Sequence, residues 1–198
     1  MIIRYHSESV IYLVRHGETM WNLAGRFQGQ QDSALTDRGI KQADQIGMRL
    51  AKEVVRYGTT LEGHVSPLGR AKETAARIAN FVSLNLKEEP RLMEVTLGSW
   101  DGMSHYEIDT EYPGALVGCN AFDWYFRSPD GETFDHARER AESWLSSVTS
   151  PTVAISHGLT SRLIRGVYLG LTRQKMLELP VPQNGFVALS SGQSTYVE

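Results

Sequence analysis

Three short segments of the chain carry side chains that commonly bind phosphate. Arg15 and His16 end one apolar run, and Arg70 follows a second. His157 ends a third run. Such runs are typical of strands in parallel sheets, where ligands bind beyond the carboxyl ends of the strands. An arginine guanidinium matches a tetrahedral oxyanion through paired hydrogen bonds. The sequence therefore predicts a small, rigid pocket for a dianion the size of phosphate at one edge of a sheet.

Hydrophobic patterning predicts the elements that carry these residues. Short apolar runs predict strands at residues 10–14, 61–65 and 152–156, and a late strand at 185–190 that completes or edges the sheet. Apolar residues at spacings of three and four predict four helices. One begins near an N-cap at Thr36, one directly after Arg70, one at Phe134 and one directly after His157. The helix starts after Arg70 and His157 would add partial positive charge to the pocket.

The alternation of strands and helices predicts a three-layer α/β/α sandwich with a mostly parallel central sheet. We expect residues 1–198 to form a single domain, because the chain has no repeat or low-complexity segment and is near the usual domain size. Residues 98–129 have little periodicity and many glycine, aspartate and aromatic residues. Long loops in compact domains tend to be functional, so we expect a loop-rich cap over the site at about these residues.

Composition excludes several classes of protein. The hydrophobic share of 41% and the charged share of 22% are those of a globular chain, not a disordered or fibrous one. A net charge of −3 argues against a protein that coats nucleic acid or an anionic membrane. Cys119 is the only cysteine, which rules out an internal disulfide and an all-thiolate zinc site. Arg4, His6 and Glu8 interrupt the N-terminal segment, so we expect no targeting signal and a cytoplasmic protein.

Six sequence blocks resemble one known family. In order, they are Arg15-His16-Gly17-Glu18-Thr19 with Asn22, Gly25-Arg26-Phe27-Gln28-Gly29, residues 66–71 with Glu73-Thr74, Glu94 with residues 98–102, residues 128–133, and Ser156-His157-Gly158. An Arg-His-Gly motif alone is weak evidence, but six blocks in order are specific. Together they resemble the histidine phosphatase superfamily, in its phosphoglycerate mutase-like branch. The resemblance spans most of the chain, and it implies the same sandwich fold.

The resemblance implies that His16 is the nucleophile, which attacks phosphorus in line and becomes phosphohistidine. An imidazole has an ordinary pKa of about 6.5, so the neutral ring is available at pH 7. Arg15, Arg70 and His157 would hold the equatorial phosphoryl oxygens, where the charge of the transition state resides. Asn22 and Gln28 would add neutral donors. In addition, Gly29 and Gly158 belong to the expected substrate-binding residues.

The resemblance also implies that Glu94 protonates the leaving oxygen and then deprotonates the attacking water. In the acid-phosphatase branch of the superfamily, the acid directly follows the second histidine, whereas Gly158 stands there in this chain. The acid must therefore come from elsewhere. Asp101, Glu107 and Asp109 remain alternatives to Glu94.

Two departures from the mutase pattern favour hydrolysis over phosphoryl transfer to a second substrate. Mutases carry an arginine after the acid and a tyrosine two positions later, where this chain has Val95 and Leu97. Residues 94–132 contain one arginine, Arg127, and no lysine, although a site that retains a small dianionic intermediate should be more basic. Six aromatic residues of this segment predict a leaving group with apolar character: Trp100, Tyr106, Phe122, Trp124, Tyr125 and Phe126.

The sequence thus predicts a phosphomonoester hydrolase that acts on a small phosphorylated metabolite, with a cofactor-dependent phosphoglycerate mutase as the alternative. A non-catalytic phosphoester-binding scaffold is a weaker alternative, because every residue needed for both half-reactions is present. A zinc hydrolase is weaker too, because His16 and His157 lack a carboxylate or thiolate partner at ligand spacing. We expect no metal and no cofactor. The sequence is compatible with a homodimer but does not determine the oligomeric state or the substrate.

Overall fold

The computed structural model describes residues 9–55, 60–119 and 122–198. Arg4, His6 and Glu8, on which the prediction about targeting rests, lie outside these ranges. The strands are β1 (Ile11–Arg15), β2 (Leu61–Val65), β3 (Leu84–Glu88), β4 (Thr152–Ser156), β5 (Phe186–Ser190) and β6 (Gln193–Val197). The helices are α1 (Met20–Leu23), α2 (Asp37–Val54), α3 (Gly69–Ala79), α4 (His105–Glu111), α5 (Phe134–Ser147), α6 (Gly158–Tyr168) and α7 (Arg173–Leu177).

The strands form one sheet in the order β3-β2-β4-β1-β5-β6. The neighbouring strands β3, β2, β4 and β1 are parallel, whereas β5 is antiparallel to both β1 and β6. In the register of β1 with β4, Arg15 lies opposite Ser156. The carboxyl ends of β1, β4 and β2 therefore meet at one edge, as the strand pattern predicts.

Helices cover both faces of the sheet, which confirms the predicted three-layer sandwich. Ile11 and Leu13 of β1 pack into a core formed with α5, α6 and α7. Tyr12 and Val14, which alternate with them, pack on the opposite face against α2 and α3. This alternation follows from the period of two along a strand, with apolar residues on both sides of a sheet that is buried on both faces.

The predicted long helices begin close to their expected residues. Thr36 is the N-cap of α2, and its side chain accepts a hydrogen bond from the Gly39 amide at 3.0 Å. Thr133 caps α5 in the same way, and α6 follows His157 directly. The longest described helix, α2, has 18 residues, and no helix in the described ranges is long and apolar enough to cross a membrane.

Sheet edges and short helices differ from the sequence expectation. The strand predicted at 185–190 lies inside the sheet between β1 and β6, and β6 forms the edge. The two edge strands, β3 and β6, were not predicted, because their side chains are mostly exposed and show no apolar run. Helix α4 was also missed, although Ser104 and Glu107 form a capping box at its start.

The segment expected to be a loop-rich cap has a core of its own. Leu97, Trp100, Ile108 and Trp124 are buried together in it. The cap is thus more ordered than its lack of periodicity suggests, since its aromatic residues pack on one another. It carries α4 as its regular helix in the described part of the segment.

Candidate active site

The three strand ends that carry the predicted residues are held together by backbone hydrogen bonds. The His16 amide donates to the carbonyl oxygen of Ser156 at 3.0 Å, and the Ser66 amide donates to that of Ile155, also at 3.0 Å. The sheet pattern thus continues one residue beyond β1 and β2. His16, Ser66 and His157 consequently stand side by side at the edge.

A cavity of about 270 Å³ opens at this edge, close to the small end of the ~300–1,000 Å³ range of ligand pockets. Eight of the nine site residues predicted from the sequence line it: Arg15, His16, Asn22, Gln28, Gly29, Arg70, Glu94 and Gly158. The ninth, His157, is fully buried beside His16 rather than on the cavity wall. The structure therefore brings together residues that are up to 143 positions apart in the chain, from Arg15 to Gly158.

The His16 ring is held in one orientation by its own loop. Its Nδ1 lies 2.7 Å from the carbonyl oxygen of Gly17. A carbonyl oxygen only accepts, so Nδ1 carries the ring proton and Nε2 carries the lone pair. Burial, reinforced by the charges of Arg15 and Arg70, holds the pKa of His16 well below its ordinary value. The ring is therefore neutral at pH 7, as a nucleophile requires.

His157 packs against His16 with ring centroids 5.2 Å apart. Its Nε2 lies 2.7 Å from the Ser66 hydroxyl, and its Nδ1 has no hydrogen-bond partner among the described residues. Burial, followed by the charge of Arg70, lowers the pKa of His157 well below its ordinary value. When the Ser66 hydroxyl donates to Nε2, the single ring proton is on Nδ1 and is available to an acceptor beside His16.

Arg70 is buried, and carbonyl oxygens of the loop after α1 fix its guanidinium. Nη2 donates to the Gly29 carbonyl at 2.7 Å and Nη1 to the Gln31 carbonyl at 2.5 Å. Asp32 forms an ion pair with Nη1 at 3.0 Å. Nε has no partner in the described chain. The free edge of this guanidinium, at Nε, is available to an oxyanion.

Arg15 is oriented by a carbonyl oxygen from the C-terminal part of the chain. Its Nη1 donates to the carbonyl oxygen of Val181 at 3.0 Å, in the segment between α7 and β5. Its Nε, like that of Arg70, has no partner among the described residues. Each arginine is thus oriented by protein carbonyls and keeps donors for a ligand, which is the preorganisation that oxyanion binding needs.

Asn22 and Gln28 line the cavity with amide groups. The Oδ1 of Asn22 accepts from the Thr19 amide at 3.2 Å and from the Gln183 side chain at 3.3 Å, which leaves its Nδ2 as a donor. Gln28 is buried, and its Oε1 has no partner among the described residues. Both side chains line the cavity, and the unpartnered atom of Gln28 is an acceptor rather than a donor.

Gly29 shapes the loop that orients Arg70. Its φ of +48° is in the left-handed region, and a Cβ there would lie 1.6 Å from Oδ1 of Asp101. Asp101 accepts hydrogen bonds from the Gln30 amide at 3.0 Å and from the Leu97 amide at 2.7 Å. Asp101 therefore ties the loop to the cap, and it does not line the cavity.

Of the four carboxylates considered for the acid, Glu94 is the one that lines the cavity. Its Oε1 accepts from the Thr160 amide at 3.0 Å and from the Val95 amide at 3.0 Å. Its Oε2 accepts from the Leu159 amide at 3.1 Å. A Cβ added to Gly158 would lie 3.7 Å from both Oε2 of Glu94 and the Nε of Arg15, so this glycine separates the two side chains without filling the space between them.

Glu107 and Asp109, the two carboxylates that remain besides Glu94 and Asp101, are engaged in an ion pair or exposed. Glu107 pairs with Arg26 at 2.8 Å, and its pKa is lowered to about 2, chiefly by the backbone amide of Ser104. Asp109 is exposed on α4.

The starts of α3 and α6, which were expected to add partial positive charge to the pocket, each bind a protein carboxylate. Asp32 accepts from the amides of Gly69 and Arg70 at the start of α3. At the start of α6, the amides of Leu159 and Thr160 bind Glu94. Both N-termini are thus occupied by protein carboxylates, because a carboxylate satisfies the same unpaired amides as a phosphate does.

Sequence reasoning missed Arg162, which lines the same cavity. It follows Gly158 by four positions on α6, and this spacing places two residues on one face of a helix. That spacing could have identified it. Among the aromatic residues expected at the leaving group, Phe122 and Tyr125 line the cavity. The other four do not line it: Trp100 and Trp124 are buried in the cap core, Tyr106 is 79% exposed, and Phe126 packs against the core beneath.

The chain is similar to known proteins over most of its length. A family model described as "Histidine phosphatase superfamily (branch 1)" matches residues 11–196. A protein of Erwinia tasmaniensis named "Probable phosphoglycerate mutase GpmB" is 35% identical over 171 residues, which cover 81% of this chain and 75% of the relative. The crystal structure of an alpha-ribazole phosphatase from Shigella flexneri has a TM-score of 0.79 at 26% identity and covers 95% of this chain and 94% of that one. A mycobacterial glucosyl-3-phosphoglycerate phosphatase has a TM-score of 0.74 at 27% identity, with 96% of both chains covered.

Proposed function

The chain belongs to the histidine phosphatase superfamily, branch 1, and we propose that it hydrolyses a small phosphomonoester through a phosphohistidine at His16. The observation that carries the proposal is the state of the His16 ring. Its proton is fixed on Nδ1 by the Gly17 carbonyl at 2.7 Å, and its low pKa keeps Nε2 unprotonated at neutral pH. Arg15 and Arg70 line the same cavity, and the Nε of each has no partner among the described residues.

In the first step, the lone pair of Nε2 forms the N–P bond while the bond from phosphorus to the leaving oxygen breaks. Glu94 gives a proton from Oε2 to the leaving oxygen, which departs as an alcohol. Arg15 and Arg70 stabilise the charge on the equatorial oxygens. His157 adds the donor at Nδ1. The two half-reactions replace one difficult displacement by two easier ones.

In the second step, a water molecule attacks phosphorus from the side that the alcohol has left. Glu94 takes a proton from this water, so one carboxyl group serves as acid and then as base. The N–P bond breaks, its electron pair returns to Nε2 of His16, and inorganic phosphate leaves. The enzyme is then in its starting state.

Hydrolysis is favoured over mutase activity by the surroundings of Glu94. The two positions at which mutases carry an arginine and a tyrosine hold Val95, which is buried in the core, and Leu97, which lines the cavity. Neither residue can grip an anionic intermediate. The mutase remains the second candidate, because the relative from Erwinia tasmaniensis bears that name and Arg162 adds a cation to the cavity.

The test measures phosphate release from p-nitrophenyl phosphate in excess chelator, and from 3-phosphoglycerate with and without 2,3-bisphosphoglycerate. We expect phosphate release with no requirement for added metal. Formation of 2-phosphoglycerate faster than release of phosphate would instead establish the mutase. Lack of turnover of every substrate would leave a phosphoester-binding scaffold, and activity abolished by the chelator would indicate a metal hydrolase.

A further inference from the structure

We propose that Arg162 forms a second oxyanion subsite in the cavity, so that the substrate is a small phosphomonoester whose leaving group carries its own carboxylate or second phosphoryl group. The inference rests on the proposed function, because it concerns the leaving-group side of the same cavity. Arg162 lies on α6 and lines the cavity together with Phe122 and Tyr125.

The guanidinium of Arg162 is fixed by two contacts. Its Cζ lies 3.7 Å from the centroid of the Phe122 ring, and its Nε donates to the Leu179 carbonyl at 2.7 Å. The ring contact and the hydrogen bond together hold the guanidinium in place. Nη1 and Nη2 make no hydrogen bond to the described residues. They form the end of the guanidinium that binds the two oxygens of a carboxylate or phosphate side by side.

Arg162 differs from two other arginines of the cavity because it forms no ion pair with a carboxylate in the described chain. Arg26 is paired with Glu107, and Arg70 with Asp32. Within the described chain, Arg15 and Arg162 form no ion pair with a carboxylate, although the charge of Glu94 acts on both. A partly desolvated cation without a hydrogen-bonded anion is unfavourable, and a ligand anion relieves that cost. Arg15 is adjacent to His16 in the chain and serves the phosphoryl group that is transferred, so Arg162 is left for a second anionic group.

The charge of Glu94 attracts Arg162, but the two side chains form no ion pair, and the oxygens of Glu94 accept from backbone amides at the start of α6. Tyr125 adds a neutral donor. Burial, followed by the charge of Glu94, raises its pKa to about 12, so its hydroxyl stays protonated. Leu97 and Phe27 supply apolar wall. The cavity thus has cationic groups next to His16 and at Arg162, and apolar wall residues as well. A substrate with a short carbon skeleton and an anionic group at each end fits these groups and a cavity of about 270 Å³.

The test compares three substrates that differ at one end. Glycerol 3-phosphate and 3-phosphoglycerate have the same carbon chain and the same phosphate ester, but the first ends in a neutral hydroxymethyl group and the second in a carboxylate. Glycerol 1,3-bisphosphate carries a second phosphoryl group in that place. kcat/KM is measured for each substrate with the wild type, Arg162→Met and Arg162→Lys. Arg173→Met is the matched control, since Arg173 packs on cap and core aromatic rings, pairs with Asp123 and lies outside the cavity.

We expect the wild type to prefer an anionic leaving group. Arg162→Met should reduce the ratio of kcat/KM for the favoured anionic substrate to that for glycerol 3-phosphate by about 10- to 100-fold, the scale of a hydrogen bond to a charged group. Arg162→Lys should restore part of this ratio, and Arg173→Met should leave it unchanged. A fall in the ratio for 3-phosphoglycerate would indicate that Arg162 binds a carboxylate, and a fall in the ratio for glycerol 1,3-bisphosphate would indicate that it binds a second phosphoryl group.

The inference is overturned if the wild type treats the three substrates alike, or if Arg162→Met lowers kcat/KM for all of them by the same factor. The wild-type comparison and the lysine variant decide the matter if Arg162→Met does not fold. Failure of the wild type to hydrolyse any phosphomonoester, p-nitrophenyl phosphate included, would instead refute the proposed function.

Discussion

Glu94 is tied to Thr160 by a hydrogen bond from the Thr160 backbone amide, 3.0 Å from Oε1. The Thr160 hydroxyl lies 3.0 Å from the same oxygen and shares its one proton with the Met93 carbonyl, 2.7 Å away. Thr160 lies in the first turn of α6, three residues after His157. The candidate acid and the second histidine are therefore positioned by the same helix start. Oε1 accepts from two backbone amides and Oε2 from one, so Oε2 keeps more room for a ligand, and we assign proton transfer to Oε2.

Loss of the acid should depend on how much the leaving oxygen needs a proton. Glu94→Gln should slow hydrolysis of an alkyl phosphate by about 10²- to 10⁴-fold. A nitrophenyl phosphate leaves as a stable phenolate, so its phosphorylation step should change little. Its dephosphorylation still needs a base, and stopped-flow absorbance should show a burst of nitrophenolate. Asp109→Asn, an exposed carboxylate on α4, is the control. Equal losses on both substrates without a burst would remove Glu94 from this role.

Arg70→Lys should lower kcat/KM by about 10²- to 10³-fold, the usual cost of removing one preorganised oxyanion donor. A lysine ammonium is a point charge and cannot contact the carbonyls of Gly29 and Gln31 while it also binds the phosphoryl group. Arg77→Lys on the same helix, where Arg77 pairs with Asp44, should have little effect. Steady-state kinetics with p-nitrophenyl phosphate measures both variants. Near wild-type kcat/KM in Arg70→Lys would contradict the fixed guanidinium.

The left-handed conformation of Gly29 should make it intolerant of a side chain. Gly29→Ala combines a strained φ of +48° with a Cβ that would overlap Asp101, so we expect a loss of stability of about 1–3 kcal/mol. Gly25 also has a positive φ, +69°, but a Cβ there would meet no atom within 4 Å. Urea denaturation should therefore show a clearly smaller loss for Gly25→Ala. Equal losses would mean that the contact with Asp101 is unimportant.

Stability should fall as the pH drops below about 6.5. The folded state keeps His16 and His157 neutral, because burial lowers their pKa values, whereas the unfolded chain protonates both near its ordinary pKa. The unfolded state then binds more protons, which costs at most about 1.4 kcal/mol per pH unit for each histidine. The free energy of unfolding, measured in phosphate-free buffer between pH 6.5 and 5.5, should depend less steeply on pH in His16→Asn. An identical slope in both proteins would exclude this contribution.

The sequence predicted the site more completely than the edges of the fold. β1, β2 and β4 are buried strands with apolar runs, and the residues that follow them were located because such strands end at a common edge. β3 and β6 could not be predicted, since an exposed edge strand is defined by its hydrogen-bonded neighbour rather than by hydrophobicity. The same holds for the carbonyl oxygens of Gly29, Gln31 and Val181 that orient the two arginines. Backbone carbonyls have no signature in a sequence.

The most direct test of the account is to trap the phosphoryl group on His16. The enzyme is mixed with substrate, quenched in alkali within milliseconds, digested, and analysed by mass spectrometry at alkaline pH. We expect one phosphoryl group on the peptide that contains His16, stable in alkali and lost in acid. We expect no adduct in His16→Asn, a variant whose side-chain amide can still donate to the Gly17 carbonyl. An acid-stable adduct on another residue, or full turnover by His16→Asn, would contradict it.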